Sequence, residues 1–322
     1  MTPGITKLPS HEVKNSKLKA MTMDIDKTTG LIAAPPTGFT ESGGVDLGVV
    51  APLAQHLHAQ GVAGVFINGT TGEGMSLSDD ERLALAAEWR RVLPAPMKLF
   101  VHVGHNSIVE TTRFAVHAAE IGADAVAAIA PSFFKPADID ALVDWCAEVA
   151  AAAPQLPFYF YHMPSMTGVS FSMARFLEAA APRIPNLAGI KFTFEAVADY
   201  QQALEFDGGR YDVLWGRDEM LLAALATGAR GGVGSTYNIA APLFLKLMEA
   251  FDNGDLATAR QLQARAITMI NAMVETGNFF VALKSILRKQ GVPITTRVRA
   301  PLKNLPENKT VEIAQRTKET TS

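Results

Sequence analysis

The chain has 322 residues, 48% of them hydrophobic and 19% charged, with a formal net charge of -3. That length fits one large domain or two small ones, and that charge offers no electrostatic case for nucleic acid or an anionic membrane as partner. The single cysteine, Cys146, excludes an internal disulfide. With no clustered ligands a structural zinc is not expected, and no stretch is apolar for long enough to span a bilayer.

Residues 1–27 are polar, rich in lysine and threonine, and lack the apolar run of a signal peptide. They read as a disordered N-terminal arm on a cytoplasmic protein. From residue 28 onward one rhythm repeats. Short β-prone runs fall at 30–33, 65–67, 99–103, 125–129, 158–161, 187–191, 213–215 and 232–234. Amphipathic segments of helical period lie between them, for example at 45–60, 78–92, 107–121, 139–152 and 219–227. Ser78 with Glu81 and Ser107 with Glu110 are spaced as capping boxes. Cys146, on the predicted 139–152 helix, reads as a packed thiol. Strand–helix alternation implies parallel strands joined by right-handed crossovers. Eight such units suit an α/β fold, a (β/α)8 TIM barrel over 28–252, with a doubly wound open sheet as the rival. Beyond Gly234 the strands stop. Residues 239–290 read as helices punctuated by Gly254, Gly277 and Gly291. The expected organisation is therefore the barrel, C-terminal helices over 253–310 packed on it, and a polar tail over 311–322.

In a barrel, residues at the C-terminal ends of strands face the active site. The chemistry-bearing residues gather at those ends. Lys191 closes the sixth predicted strand, between Ile190 and Phe192. Either it snorkels into water, or burial favours its neutral amine, a nucleophile toward carbonyl carbon. An ordinary lysine is neutral only about once in 2500 molecules at pH 7. Gly69-Thr70-Thr71-Gly72-Glu73 follows the second strand. It is either a turn capped by hydroxyls or a cradle for a carboxylate, and its spacing is not that of a nucleotide phosphate loop. Tyr161, before His162-Met163-Pro164, is either packing or a proton relay if a nearby cation lowers its pKa. Asp218 and Glu219 either bind polyol hydroxyls or stabilise a helix start. Ser235 and Thr236 follow the eighth strand. His102 and His105 read as loop or rim residues rather than metal ligands. An amine, a phenol and a carboxylate clamp together fit a 2-oxo acid, whose imine is an electron sink that needs no metal or organic cofactor.

Four segments in order carry a resemblance: Gly69–Glu73, Tyr161–Pro164, Gly189–Thr193 and Gly232–Asn238. They resemble the lysine-dependent aldolases of the dihydrodipicolinate synthase/N-acetylneuraminate lyase family, over about residues 30–306. Within it, Thr70–Glu81, Tyr161–Val169, Asp218-Glu219 and Ser235–Asn238 are most similar to the sialic-acid-cleaving branch. The resemblance implies a barrel with C-terminal helices, assembled as a homotetramer, acting on a small 2-oxo acid or amino-sugar substrate. It implies that Lys191 is the Schiff-base lysine and Tyr161 the proton-transfer residue. It implies that Thr70 and Thr71 hold the pyruvyl carboxylate, and that Thr193, Gly216, Asp218, Glu219 and Ser235 contact the sugar chain. Two departures stand out. Relatives that make dicarboxylic products carry an arginine where this chain has Met166, so a second carboxylate would lack its partner. Many relatives carry a tyrosine after strand four that reaches a neighbouring subunit. Here Phe133 and Phe134 supply no hydroxyl for such a relay.

Overall fold

The structure is a computed structural model that describes residues 25–306. The expected arm, apart from its last three residues, and the expected polar tail lie outside the described residues. Eight strands form one closed, all-parallel barrel in chain order: β1 (Gly30–Ala33), β2 (Gly64–Ile67), β3 (Lys98–His102), β4 (Ala125–Ile129), β5 (Phe158–His162), β6 (Leu187–Phe192), β7 (Asp212–Trp215) and β8 (Gly231–Gly234). β8 returns to β1, pairing Gly234 with Ala33. Closure excludes the open-sheet rival. Around the barrel run α1 (Val50–Ala59), α2 (Asp79–Val92), α3 (Ile108–Glu120), α4 (Ile139–Ala151), α5 (Pro164–Thr167), α6 (Met173–Ala180), α7 (Val197–Gly209), α8 (Leu221–Ala226) and α9 (Tyr237–Asp252). Two helices follow, α10 (Leu256–Val274) and α11 (Phe279–Lys289).

The strands read as nearly unbroken apolar runs because both their faces are buried. Along each strand alternate side chains enter different cores. Ile32, Phe66, Phe100, Ala127, Tyr159, Tyr161, Leu214 and Val233 fill the barrel interior. Leu31, Val65, Leu99, Val126, Phe160, Ile190 and Val213 pack outward under the helices. Cys146 is buried in the outer core, as a packed thiol should be.

One irregularity aims the site. β5 and β6 pair Phe158 with Leu187 but Tyr159 with Gly189, so Ala188 is an extra residue in β6. Ala188 belongs to the inner core, and Ile190 and Phe192 to the outer one. Regular alternation from Ala188 would send residue 191 outward. The bulge reverses the parity, and Lys191 enters the barrel opposite Tyr161. Gly189 beside it admits no side chain, since a Cβ there would stand 1.7 Å from the Asp212 carbonyl oxygen.

Helix ends follow the sequence with one difference. Ser78 and Glu81 form a complete capping box at α2. Ser107 accepts from the Glu110 amide at α3, but the Glu110 carboxylate turns to Arg113, 3.0 Å away. Asn186 donates to three carbonyls, those of Ala150, Ala153 and Leu156, and so ties the end of α4 to the start of β6.

Candidate active site

Lys191, next to last in β6, is 4% exposed. Its Nζ lies 3.9 Å from the ring centroids of both Phe66 and Tyr161. Burial lowers its pKa from 10.5 to about 7, against a smaller opposing pull from the Asp218 carboxylate. That displacement corresponds to about 5 kcal/mol of preference for the free amine. At pH 7 roughly half the molecules therefore carry a nucleophilic amine.

Tyr161 is buried beside it. The hydroxyl donates to the Met163 thioether at 3.0 Å and lies 3.4 Å from Thr70 Oγ1. Its pKa does not fall, as a proton relay next to a cation would require. Burial pushes it up to about 12, with the nearby Thr70 and Thr193 hydroxyls opposing. The physical reason is next door. An amine that titrates near 7 is not a standing cation, so the phenol keeps its proton. On the opposite wall Thr71 Oγ1 and Ser235 Oγ are 2.7 Å apart. Thr193 Oγ1 is buried without a hydrogen-bond partner in the protein.

Asp218 stands both at a helix start and on the cavity wall. It opens a 3-10 turn, and its carboxylate reaches across to the loop after β8, accepting from the Thr236 amide at 2.8 Å and the Thr236 hydroxyl at 2.6 Å. Burial raises its pKa to about 6, with Thr236 opposing. Gly234 makes room for it, since a Cβ there would stand 1.9 Å from Asp218 Oδ1. Gly216 likewise leaves room for Thr193, whose Oγ1 would lie 2.0 Å from a Cβ at 216. Glu219 is held at the mouth by Arg217, 3.0 Å away, which also pairs with Glu195 at 2.5 Å.

All nine residues named from the sequence, Lys191, Tyr161, Thr70, Thr71, Thr193, Gly216, Asp218, Glu219 and Ser235, line one cavity of about 400 Å³ at the C-terminal rim. The sequence reading missed the rest of the wall. Arg217 and Met163 come from the rim loops, and Ile270, Val274 and Phe280 from α10 and α11, while Met166 of α5, already noted as a departure from relatives, completes the wall. Arg217 and Met163 sat inside motifs already singled out. The helix residues left no signal, because their apolar spacing is that of any packed helix. His102 is no rim residue. It ends β3, buried, with Nδ1 3.0 Å from the Asn68 carbonyl and its ring edge-on to Tyr161. Burial lowers its pKa well below the usual value, so it is neutral. His105 stays in the loop, where Nδ1 accepts from the Ser107 amide. Among the described residues no group of three His, Cys, Asp or Glu side chains is placed to hold a metal ion.

A free amine beside a protonated phenol, with hydroxyl donors on the facing wall, can form an imine with a 2-oxo acid and move a proton near it. Known proteins carry the same fold. The mouse N-acetylneuraminate lyase is 43% identical over 275 residues, covering 83% of this chain and 85% of its own. The Proteus mirabilis N-acetylneuraminate lyase structure matches with a TM-score of 0.88 and 39% identity, over 92% of this chain and 99% of its own. A structure of the Ruminococcus gnavus sialic acid aldolase catalytic lysine mutant matches with a TM-score of 0.85 and 28% identity, over 91% and 96%. The model of the dihydrodipicolinate synthetase family matches residues 27–320. With the closed barrel and the rim pocket in place, that match over nearly the whole length settles the lineage: the chain belongs to the dihydrodipicolinate synthetase family.

Proposed function

We propose that this protein is a pyruvate-dependent aldolase that reversibly cleaves N-acetylneuraminate to pyruvate and N-acetylmannosamine. The observation that carries the reading is the buried Lys191 amine, its pKa lowered to about 7, 3.9 Å from the Tyr161 ring. Lys191 Nζ adds to the keto carbon C2, and loss of water leaves an iminium. Thr70 and Thr71 hold the neighbouring carboxylate. The new cation then sits against Tyr161 and draws the phenol pKa down from its resting value, supplying the charge that the unliganded site lacks. As the C3–C4 bond breaks, its electrons enter the iminium and form an enamine. Tyr161 takes the C4 hydroxyl proton, passing its own to the substrate carboxylate, and the aldehyde leaves. Protonation at C3 and hydrolysis release pyruvate and free the lysine. The negative charge that develops at C3 with bond cleavage is absorbed by the iminium, so its orientation by the pocket lowers the barrier itself.

Thr193, Gly216, Asp218, Glu219 and Ser235 face the remaining length of the cavity and suit a polyol chain. Met166, 59% exposed at the pocket wall, offers no positive charge to a second carboxylate, which disfavours a dicarboxylic condensation product. The same reading carries a cytoplasmic homotetramer. An exposed edge-to-face pair, Phe133 and Phe134 (77% and 84% exposed), supports burial of that loop between subunits. Borohydride reduction with pyruvate followed by peptide mapping will place the adduct on Lys191, and an adduct elsewhere excludes the mechanism. Among N-acetylneuraminate, its glycolyl analogue and shorter keto sugar acids, the first is expected to have the highest kcat/KM. A far higher value for a shorter acid would reassign the substrate.

A further inference from the structure

The inference rests on the reading above, in which Thr70 and Thr71 hold the substrate carboxylate. Their loop is wound tightly. The Glu73 amide bonds the Thr70 carbonyl at 3.0 Å, and the Gly74 amide bonds the Gly69 carbonyl at 3.0 Å. Asn68 (φ 58°) and Glu73 (φ 53°) are both left-handed, a conformation disfavoured for residues other than glycine. Such a loop persists only when its surroundings over-determine it.

Those surroundings come from the other end of the chain. One Glu73 carboxylate oxygen is 2.6 Å from Lys284 Nζ on α11, and the other accepts from the Arg299 amide at 2.8 Å. The side chains of Glu73 and Lys284 are 1% and 0% exposed. Lys284 Nζ also donates to the Arg297 carbonyl at 2.6 Å and rests 4.5 Å over the Phe39 ring. The Arg299 guanidinium makes two bonds of 2.5 Å to Glu81, the capping residue of α2, and reaches the Ser76 and Gly43 carbonyls at 3.0 Å each. Both Glu73 carboxylate oxygens are thus committed to residues 284–299. A fully buried ion pair is poor evidence of stabilisation, because apolar residues of similar volume do as well or better. What the pair supplies here is direction: it fixes the carboxyl-terminal end of the loop in one orientation.

We propose that Glu73 is a positioning residue for substrate-carboxylate binding, clamped by Lys284 and the Arg297–Arg299 segment so that Thr70 and Thr71 are held ready for the keto acid. It touches no reacting atom and acts through the two threonines. The test uses the double variant Glu73→Gln/Lys284→Met, which leaves no unpaired buried charge, with borohydride trapping on Lys191 measured against pyruvate concentration. The expected result is an unchanged trapped plateau reached at a half-saturating pyruvate concentration at least tenfold higher. KM for pyruvate in the condensation direction should rise likewise, with kcat within about threefold of the parent. A folded double variant with unchanged half-saturation overturns the proposal. Should the double variant not fold, Arg299→Ala decides. Part-exposed and outside the pocket, it should raise half-saturation about threefold, and no rise overturns the proposal. Failure of the parent protein to trap pyruvate at all overturns the aldolase reading together with this one.

Discussion

Tyr161 and Lys191 have complementary resting states, a phenol pushed up to about 12 and an amine brought down to about 7. Near neutral pH the phenol is uncharged and the amine is divided about equally between its two forms, and imine formation shifts both. Removing the hydroxyl therefore separates two steps. Tyr161→Phe should still form the trapped adduct with pyruvate while losing about 10²–10⁴-fold in kcat for cleavage, the usual worth of a positioned proton-transfer group. Loss of the adduct in that variant would instead make the phenol a partner in imine formation. Residue type and strand-end position left both residues open to blander readings, and the family resemblance pointed to these proposed roles. The resting pKa of Tyr161 was not legible, because it is set by the burial of the phenol in three dimensions.

At the scale of elements, the strands and their order were readable because (β/α) alternation is written in hydrophobic period. The bulge at Ala188 was not. A single skipped rung leaves residue types unchanged, so the sequence shows Lys191 at a strand end but not which face it takes. Glycines at the strand ends are similarly silent until their neighbours are seen. Gly234 faces Asp218 at a distance that excludes even a methyl group. Gly234→Ala should cost about 1–3 kcal/mol of stability through overpacking. It should also weaken sugar-acid cleavage by detaching Asp218 from Thr236. Chemical denaturation and steady-state kinetics check both. A variant with full stability and activity would show that the β7–β8 junction yields without cost. Asp218 and His102 illustrate the same limit. The sequence offered a polyol-binding or helix-start acid and a loop or rim histidine, and tertiary contacts also make the first a strut to Thr236 and the second a buried neutral ring against Tyr161.

For the molecule as a whole, the reactive amine is a liability in stability. The unfolded lysine titrates near 10.5 and the native one near 7. Below pH 7 both states hold the proton, and the native state bears the full penalty of about 5 kcal/mol. Between 7 and 10.5 the unfolded chain binds the extra proton, so native stability rises with pH until the penalty is gone. Lys191→Met should thus be more stable than the parent by a few kcal/mol at pH 7, and the difference should shrink toward pH 10. Denaturation midpoints of the two proteins across that range test it, and a constant difference would place the native amine in water. The C-terminal helices were predicted as an appendage, and their contribution to the pocket was not visible in their spacing. Ile270, Val274 and Phe280 wall the cavity, and Gln263 of α10 donates to the Asp218 carbonyl at 3.2 Å. This arrangement has a consequence for biosynthesis. All eight strands are translated before residue 256, so a nascent chain on the ribosome can assemble its ring of strands while the pocket wall is still being made. Competence to capture a keto acid is acquired only when the segment carrying Ile270, Val274 and Phe280 has joined the ring of strands.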